Sequence, residues 1–291
     1  MRPQFLIAGL FLNILGVAVA IHLGAHFDLA KVFVFQIVVA SLQMAGAAAN
    51  EYADVETDRI NANRTWFSGG SGVIASGALG RDVAMMFTFV WGIVALLAGM
   101  ILSVALGVTY VLPAMTILGL ALALSYSLWP LKLSYIGLGE LTMGVMVSIM
   151  VPIAAFLVLH EKYDGLILTA SLPVFFQLLA LMMVVQYPDY EADMRTGKRN
   201  LVVRLGKQTS WRIGVILLLI AAASSFYGAL FGIPAVVGVS AGMFLLMEAL
   251  FFFIAESHLR SRTIMFWSTA ISSGFYILVV ALLAVGFVVL H

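Results

Sequence analysis

Long apolar stretches recur along the whole chain, and they restrict its fold more than any other feature. An α-helix needs about 20 mostly apolar residues to cross a bilayer, where it satisfies its own backbone hydrogen bonds. Hydrophobic residues make up 63% of the 291 positions and charged residues only 10%, unlike a soluble domain. The sequence therefore predicts an all-α polytopic membrane protein. Its nine predicted transmembrane helices are residues 4–24, 32–53, 83–106, 110–128, 136–159, 166–188, 212–231, 234–255 and 265–289.

The composition also excludes several kinds of chemistry. The chain has no cysteine, which rules out disulfides, thiolate catalysis and Cys-ligated metals. Its five histidines show no metal-ligand spacing. The net charge is +1 and no basic tract with interleaved aromatic residues occurs, so nucleic acid is not an expected partner. The N-terminal segment leads directly into the first apolar stretch, which we interpret as a span rather than a cleaved signal.

Basic residues fall mostly on one side of the predicted spans. Lys and Arg collect in cytoplasmic loops, and only Lys31 and Lys162 lie on the opposite side. We therefore expect the N-terminus in the cytoplasm of a cell membrane and the C-terminus, at His291, outside. The basic residues assigned to the cytoplasmic side are Arg2, Arg59, Arg64, Arg81, Lys132, Arg195, Lys198, Arg199, Arg204, Lys207, Arg212, Arg260 and Arg262.

Two acidic motifs follow apolar stretches on the predicted cytoplasmic side. In the first motif, Asn50, Asp54 and Asp58 recur at every fourth position, so a helix would place them in one polar stripe. The second motif contains Asp189 and Asp193 and repeats the pattern Tyr-x-Asp-x-Glu-x-Asp. Like charges one turn apart repel each other. Two matched motifs at the ends of apolar helices therefore indicate a common cause.

Three environments could tolerate such clustered carboxylates: solvent, neighbouring basic residues, or divalent cations. Glu51, Glu56 and Glu191 point away from the aspartate stripe on a helix, so solvation is expected for them. For the aspartates we favour cations, because Mg²⁺ takes one or two carboxylates and keeps waters and substrate phosphates as its other ligands. The predicted metal ligands, which would cradle Mg²⁺ ions bridging a diphosphate, are Asn50, Asp54, Asp58, Asp189 and Asp193.

A diphosphate beside a cavity roofed by apolar helices implies a lipid-tailed ligand. Departure of the diphosphate leaves an allylic carbocation, which a dry site must stabilise as its charge develops. Aromatic faces stabilise cations, and the candidates near the cytoplasmic rim are Tyr126, Tyr135, Tyr187 and Tyr190. Basic residues close to the motifs complete the neutralisation of the diphosphate. They are Arg64, Lys198, Arg199 and Arg204.

The chain is expected to form a single domain, 1–291, made of two helix groups. The second and sixth predicted helices run in the same direction and end in the same acidic pattern. This suggests groups of about 1–135 and 136–291 around a central cavity that opens near the cytoplasmic side. The two longest cytoplasmic connections begin at the acidic motifs, and the first contains the glycine-rich segment 68–72. Long connections of this kind are commonly lids or binding loops.

The motifs resemble those of the UbiA-type intramembrane prenyltransferases. The similarity includes Asn50-x-x-x-Asp54-x-x-x-Asp58, Asp189-x-x-x-Asp193 and the number of spans, and it extends along essentially the whole chain. The segment 189–206, and Tyr126 followed by Tyr135-Ile-Gly-Leu-Gly-Glu140, look like the branch that makes menaquinone and related naphthoquinones.

The resemblance implies Mg²⁺-dependent transfer of a polyprenyl group from its diphosphate to an aromatic acceptor, here a dihydroxynaphthoate. The two motifs and Tyr126 would then be catalytic, and Tyr135, Tyr187, Arg64, Lys198 and Arg199 would bind substrate. Gln43 shares the helix face of Asn50 and would contact acceptor or phosphate. Lys132 lies six residues after Tyr126, where many members have a Tyr-x-x-x-Lys pattern, and is either a substrate contact or a positive-inside anchor.

Other functions also fit parts of the pattern. Within the family, the acceptor could be 4-hydroxybenzoate, homogentisate or a glycerol-phosphate lipid. A cation-coupled transporter would also use intramembrane carboxylates and a repeat, although here the carboxylates lie at helix ends rather than at mid-membrane. A purely structural or lipid-binding protein with solvated acidic caps is the third alternative.

Overall fold

The computed structural model describes residues 3–65, 68–259 and 261–290, and within these ranges the chain is helical and has no strand. A π-helical turn at Gly144–Met150 joins α6 and α7 into one continuous helix, Gly139–Leu159. The helices are α1 (Pro3–His22), α2 (Leu29–Ala53), α3 (Val55–Ile60), α4 (Arg81–Val104), α5 (Val111–Ser127), α6 (Gly139–Met143), α7 (Val151–Leu159), α8 (Gly165–Val185), α9 (Tyr190–Arg195), α10 (Leu201–Leu205), α11 (Lys207–Leu230), α12 (Ala235–Ala255) and α13 (Arg262–Val289).

Each predicted transmembrane stretch coincides with a helix. In the described part of the chain, seven helices are long and apolar enough to cross a membrane. Two further apolar helices, Leu6–His22 and Val111–Ser127, are shorter. The all-helical membrane fold is confirmed, whereas nine spans and the side on which the cavity opens stay predictions. Arg2, Arg260 and His291, which entered the orientation argument, lie outside the described residues.

Both acidic motifs lie where a long helix gives way to a short one. α2 ends at Ala53, and Asp54 separates it from α3 with φ −92° and ψ 10°. The predicted stripe is therefore interrupted at Asp54. The amides of Asp54 and Asp58 still bond to the carbonyls four residues earlier, at 2.9 and 2.8 Å, so the helical spacing of the motif survives the break. In the second motif, Asp189 is the residue that precedes α9.

The long helices form a bundle around the site. α2 packs against α4 and α5, while α8 packs against α11 and α13. Each helix that leads into an acidic motif therefore packs on the next long helix of its own group. This agrees with the two-group organisation, and the internal repeat itself stays a prediction. α1 contacts both α7 and α13 and thereby joins the two groups.

Small residues bring helices together beside the site. Gly144 starts the π-helical turn, and a Cβ there would lie 2.9 Å from ring atoms of Phe175 and side-chain atoms of Leu179 on α8. π-helical turns are rare and frequently occur at functional sites. Here the turn carries Met146 and Met150, which line the central cavity.

Candidate active site

One cavity of about 580 Å³ runs beside α2. Along this helix the lining extends from Asp54 to Phe35, which is about 28 Å at 1.5 Å per residue. The polar end is lined by Asn50, Glu51, Asp54, Asp58, Asp189, Asp193, Lys198 and Asn200. The rest is mainly apolar and includes Phe35, Val38, Leu42, Leu112, Met115, Met143, Met146, Met150, Leu178 and Met182. A compact polar site is thus continuous with an apolar channel, and together they span roughly the depth of a bilayer core.

Lys198 joins the two acidic motifs at the polar end. Its Nζ lies 2.8 Å from Asp54 Oδ2 and 3.7 Å from Asp193 Oδ1. Tyr135 donates a hydrogen bond of 2.7 Å to the other oxygen of Asp54. Asn200 donates one of 2.6 Å to Asp193 Oδ2. One aspartate from each motif therefore faces the same ammonium group, as the predicted convergence of the motifs requires.

Residues of the first loop hold the second motif. Asn61 donates a hydrogen bond of 2.6 Å to Asp189 Oδ1, and the amide of Gly69 donates one of 3.1 Å to Asp189 Oδ2. Thr57, inside the first motif, and Thr196, just after the second, share a hydrogen bond of 2.9 Å. The loops after α2 and α8 thus form one interlocked surface over the polar end.

The glycine-rich segment is folded onto the first motif. Glu51 accepts hydrogen bonds from both the amide and the hydroxyl of Ser71. Gly70 has φ +62°, and a Cβ on it would collide with Asp58 Oδ2. Only glycine adopts this backbone region without a steric penalty. The expectation of a solvated Glu51 was therefore wrong, because this carboxylate lines the cavity and fixes the loop.

Several other predicted residues also lie in the cavity wall. Gln43, Asn50 and Tyr126 line the same cavity, and Asn50 Oδ1 accepts a hydrogen bond of 2.9 Å from Ser127. This contact ties the end of α2 to the end of α5. Gln43 and Asn50 share a helix face, as their spacing of seven predicts.

The structure places five predicted substrate-binding residues outside the cavity lining, and one of them, Tyr135, donates its hydroxyl to Asp54 instead. Arg64 donates hydrogen bonds to the carbonyls of Gly69 and Gly70 and so supports the loop from behind. Lys132 lies over the Tyr135 ring at 4.9 Å. The remaining two are Arg199, which is exposed, and Tyr187, whose hydroxyl donates to the carbonyl of Lys207 at 2.6 Å and whose ring stacks on Trp211.

In this structure these residues contact the protein rather than line the cavity, and their role as substrate contacts stays a prediction. Proximity in sequence to an acidic motif does not determine where a side chain points in a loop. Arg64 and Tyr187 each satisfy a carbonyl of the protein itself, since polar groups in such surroundings require partners. Both residues therefore help to hold the loops beside the site.

Burial and crowding alter the protonation of the carboxylates. Burial, followed by the charges of Asp54, Glu51 and Asp189, raises the pKa of Asp58 to about 7. Burial also raises the pKa of Asp193 to about 7, against the opposing effect of Lys198. For Lys198, burial alone would lower the pKa, but Asp54 and Asp193 raise it well above its usual value. Without a bound cation, the negative charges of this site are thus only partly balanced.

The donor set fits Mg²⁺ bound jointly with a substrate phosphate. Oδ1 of Asp193 is buried and has no hydrogen-bond partner among the described residues. A hard cation prefers such carboxylate oxygens. Within the described ranges, no three acidic or histidine side chains converge closely enough to hold an ion by themselves. This agrees with a cation that takes one or two carboxylates and completes its shell with water and phosphate.

Two side-chain amides that orient the second motif were not predicted from its sequence pattern. Asn61 lies three residues after Asp58, and Asn200 lies seven residues after Asp193. Asn200 also caps α10, since its Oδ1 accepts the amide of Val203 at 2.9 Å. A signal for this cap was available, because an Asn before an apolar helical turn is a common N-cap. No local pattern marks Asn61, whose partner is 128 residues away.

The fold and the site together define an integral membrane protein with paired acidic motifs at the polar end of an apolar cavity. The model of the UbiA prenyltransferase family matches residues 10–270. The chain therefore belongs to the UbiA prenyltransferase family, a family of enzymes that transfer prenyl groups. The resemblance of its motifs is confirmed for the family, whereas the relatives reported below do not support the naphthoquinone branch, which stays a prediction. The transporter and purely structural alternatives are not supported.

Three similar proteins illustrate the relationship. A digeranylgeranylglyceryl phosphate synthase of Sulfurisphaera tokodaii is 27% identical over 232 residues, which cover 76% of each chain. A UbiA homolog from Aeropyrum pernix K1 has the same fold, with a TM-score of 0.75 and 16% identity over 99% of this chain and 98% of that one. A UbiA homolog from Archaeoglobus fulgidus, solved bound to DMAPP and Mg²⁺, has a TM-score of 0.65 and 15% identity over 99% of both chains.

Proposed function

We propose that this enzyme transfers a polyprenyl group from its diphosphate to an aromatic acceptor, a dihydroxynaphthoate, in a Mg²⁺-dependent reaction. The observation that carries the proposal is that both acidic motifs line the polar end of one long apolar cavity. The Archaeoglobus homolog of the same fold binds a prenyl diphosphate, DMAPP, together with Mg²⁺, which supports the same pairing here.

The residues of the site would have two roles: some hold the metal and the diphosphate, and others stabilise the allylic cation. Asp54, Asp58, Asp189 and Asp193, with Asn50, would hold the metal. When bound, Mg²⁺ neutralises the diphosphate and makes it a better leaving group. Lys198 would contribute a second cationic group to the diphosphate, since its Nζ already lies between the two motifs. Tyr126 in the cavity wall presents an aromatic ring to the allylic cation, and the apolar lining keeps water away from it.

The lining also supports an acceptor of low charge. Lys198 is the single basic residue among the described residues that line the cavity. A phosphate dianion on the acceptor would therefore compete with the diphosphate for the ammonium group of Lys198. Three methionines of the helix Gly139–Leu159 line the cavity near Tyr126, and thioethers make favourable contacts with aromatic rings. A planar aromatic acid suits this wall better than a phosphorylated lipid.

A glycerol-phosphate lipid is the second candidate acceptor. It is favoured by the relative from Sulfurisphaera tokodaii, whose name assigns it the synthesis of digeranylgeranylglyceryl phosphate. The dihydroxynaphthoate acceptor instead rests on the similarity of segment 189–206 to the naphthoquinone branch and on the low number of basic residues in the wall.

A product assay tests both acceptors directly. Purified protein receives Mg²⁺, geranylgeranyl or longer diphosphates, and either 1,4-dihydroxy-2-naphthoate or geranylgeranylglyceryl phosphate. We expect pyrophosphate release and a prenylated naphthalene product in mass spectra, and neither in EDTA. Product from the glycerol-phosphate lipid alone would reassign the acceptor. Equal activity in EDTA would refute the metal-dependent mechanism.

We infer that the site faces the cytoplasm, because the loops that cover it carry most of the basic residues. The absence of native cysteine makes this testable with single Cys substitutions. Ser76 and Glu161 are both exposed and lie in loops that the orientation places on opposite sides. In intact cells, an impermeant thiol reagent should label Glu161→Cys and leave Ser76→Cys unlabelled. Labelling of Ser76→Cys and not of Glu161→Cys would show that the site faces the opposite side of the membrane.

A further inference from the structure

Two buried polar atoms near Tyr126 have no hydrogen-bond partner among the described residues. They are Oγ of Ser134, which is 3% exposed, and Oε2 of Glu140, which is fully buried. Nearly all buried polar groups in proteins are hydrogen-bonded, so each exception requires an explanation. Ser134 also lines the central cavity. Its hydroxyl is therefore placed to bind a ligand.

These two residues belong to one packed unit with Tyr126. Gly139 lies between Ser134 and Glu140 in the sequence. A Cβ on Gly139 would be 2.7 Å from Ser134 Cα and 3.0 Å from Tyr126 Cε2. Only a residue without a side chain allows Ser134 and Tyr126 to approach the start of this helix so closely. The position of Ser134 in the cavity wall is thus determined by the packing at Gly139.

The segment that carries Ser134 is fixed to the first acidic motif and to the loop that follows the second. The next residue, Tyr135, donates its hydroxyl to Asp54 and accepts the amide of Arg199 at 3.0 Å through its carbonyl. Glu140 Oε1 accepts the amide of Leu201 at 3.0 Å. Glu140 therefore fixes the segment 133–140 to the loop that carries Lys198. Ser134 thus lines the same cavity as the two acidic motifs and Lys198.

We propose that Ser134 forms a subsite for a hydroxyl group of the prenyl acceptor, with Glu140 as a positioning residue that holds this subsite against the Lys198 loop. The proposal rests on the proposed function and extends it to the binding of the acceptor. A serine hydroxyl both donates and accepts, so it suits a phenolic hydroxyl that does the same. The bonded oxygen would orient the ring toward the reacting carbon of the donor.

Direct binding of 1,4-dihydroxy-2-naphthoate tests the subsite without turnover. Equilibrium dialysis with purified protein, Mg²⁺ and pyrophosphate gives its dissociation constant. Ser134→Ala should weaken binding about five- to tenfold, as expected for the loss of one neutral hydrogen bond, while Ser134→Thr stays near wild type. The affinity for pyrophosphate should be unchanged in both variants.

Ser41→Ala is the matched control. Ser41 is also a buried serine whose Oγ has no partner among the described residues, but it does not line the cavity. Unchanged acceptor binding in Ser134→Ala, equal weakening in Ser41→Ala, or a loss of pyrophosphate affinity would overturn the subsite. Absence of product from the wild type, with normal acceptor binding, would instead refute the prenyl transfer reaction.

The positioning role of Glu140 is tested by comparing a conservative substitution with a truncation of its side chain. Glu140→Gln keeps an oxygen that can accept the Leu201 amide, so it should bind the acceptor like wild type. Glu140→Ala should weaken acceptor binding about fivefold or more while the affinity for pyrophosphate changes less. Equal losses for both ligands, or no rescue by Gln, would show that Glu140 only stabilises the fold.

Discussion

The side-chain amide of Asn61 donates a hydrogen bond of 2.6 Å to the carboxylate of Asp189, across 128 residues of sequence. Asn61 follows the first acidic motif, and Asp189 belongs to the second. The contact therefore orients a carboxylate of one half of the protein by a residue of the other. Charge-assisted hydrogen bonds of this kind are stronger than neutral ones.

Replacement of Asn61 by Ala should impair metal binding more than folding. Asp189 would keep the Gly69 amide but lose its shortest contact. We expect the Mg²⁺ concentration for half-maximal activity to rise about tenfold, the equivalent of one such hydrogen bond. Titration of activity with Mg²⁺ measures this. Asn63→Ala, two residues away in the same turn, is the control, and an equal effect there would mean that the loop is merely disturbed.

Neutralising one aspartate of either motif should abolish prenyl transfer. Asp54→Asn and Asp193→Asn preserve shape but remove a charge that faces Lys198. Loss of one preorganised electrostatic group typically lowers the rate about a hundredfold or more. Pyrophosphate release gives the rate. Glu56→Gln is the control, because Glu56 is exposed and pairs with the exposed Arg59. Near-normal turnover in Asp54→Asn would contradict the proposed site.

Lys198→Met should separate metal binding from catalysis. The ammonium competes with a cation for Asp54 and Asp193, so its removal should leave binding of Mg²⁺ alone as tight as in wild type or tighter. Turnover should nevertheless fall about ten- to hundredfold, because a charge-assisted contact to the diphosphate is lost. Calorimetry with Mg²⁺ and a product assay measure the two quantities. Weaker Mg²⁺ binding would refute this competition.

Gly70→Ala should disrupt the site through a steric contact with Asp58. Alanine at φ +62° is strained by about 1–2 kcal/mol, and its Cβ would also collide with the carboxylate. Gly77→Ala separates the two effects, since Gly77 has φ +78° but no neighbouring atom within 4 Å of a Cβ. We expect both variants to lose some thermal stability and only Gly70→Ala to lose activity. Equal activities would exclude the contact.

The affinity for Mg²⁺ should rise with pH up to about neutrality. The pKa values of Asp58 and Asp193 are raised to about 7, so below pH 7 a cation must displace protons. Each displaced proton makes the apparent affinity about tenfold weaker per pH unit. Without metal, the folded state holds these protons more tightly than the unfolded state. Its stability is therefore highest at low pH and falls as the pH rises toward 7.

Thermal unfolding in detergent between pH 5 and 9 checks both statements. The increase in melting temperature on addition of Mg²⁺ should be small at pH 5.5 and reach its full size above pH 7. Asp58→Asn removes one of the titrating groups and should flatten the dependence. A Mg²⁺ effect of constant size over this range would contradict the raised pKa values.

The sequence was sufficient for the helical fold and for the convergence of the two motifs. Apolar length determines where helices cross a bilayer, and the matched patterns around Asp54 and Asp189 favoured a shared cation. Side-chain direction in the loops was not predictable. Arg64 and Tyr187 satisfy carbonyls within the protein, and Glu51 holds Ser71 instead of facing solvent. These outcomes depend on tertiary contacts that periodicity does not encode.

Because the two helix groups contact each other's motifs, neither group alone forms a complete active site. Lys198 reaches Asp54 from the C-terminal group, and Asn61 reaches Asp189 from the N-terminal group. A polypeptide ending between the groups would hold one acidic motif but neither its counter-ion nor its opposite pair. The two helix groups are therefore not two redundant catalysts in one chain, since each supplies what the other lacks.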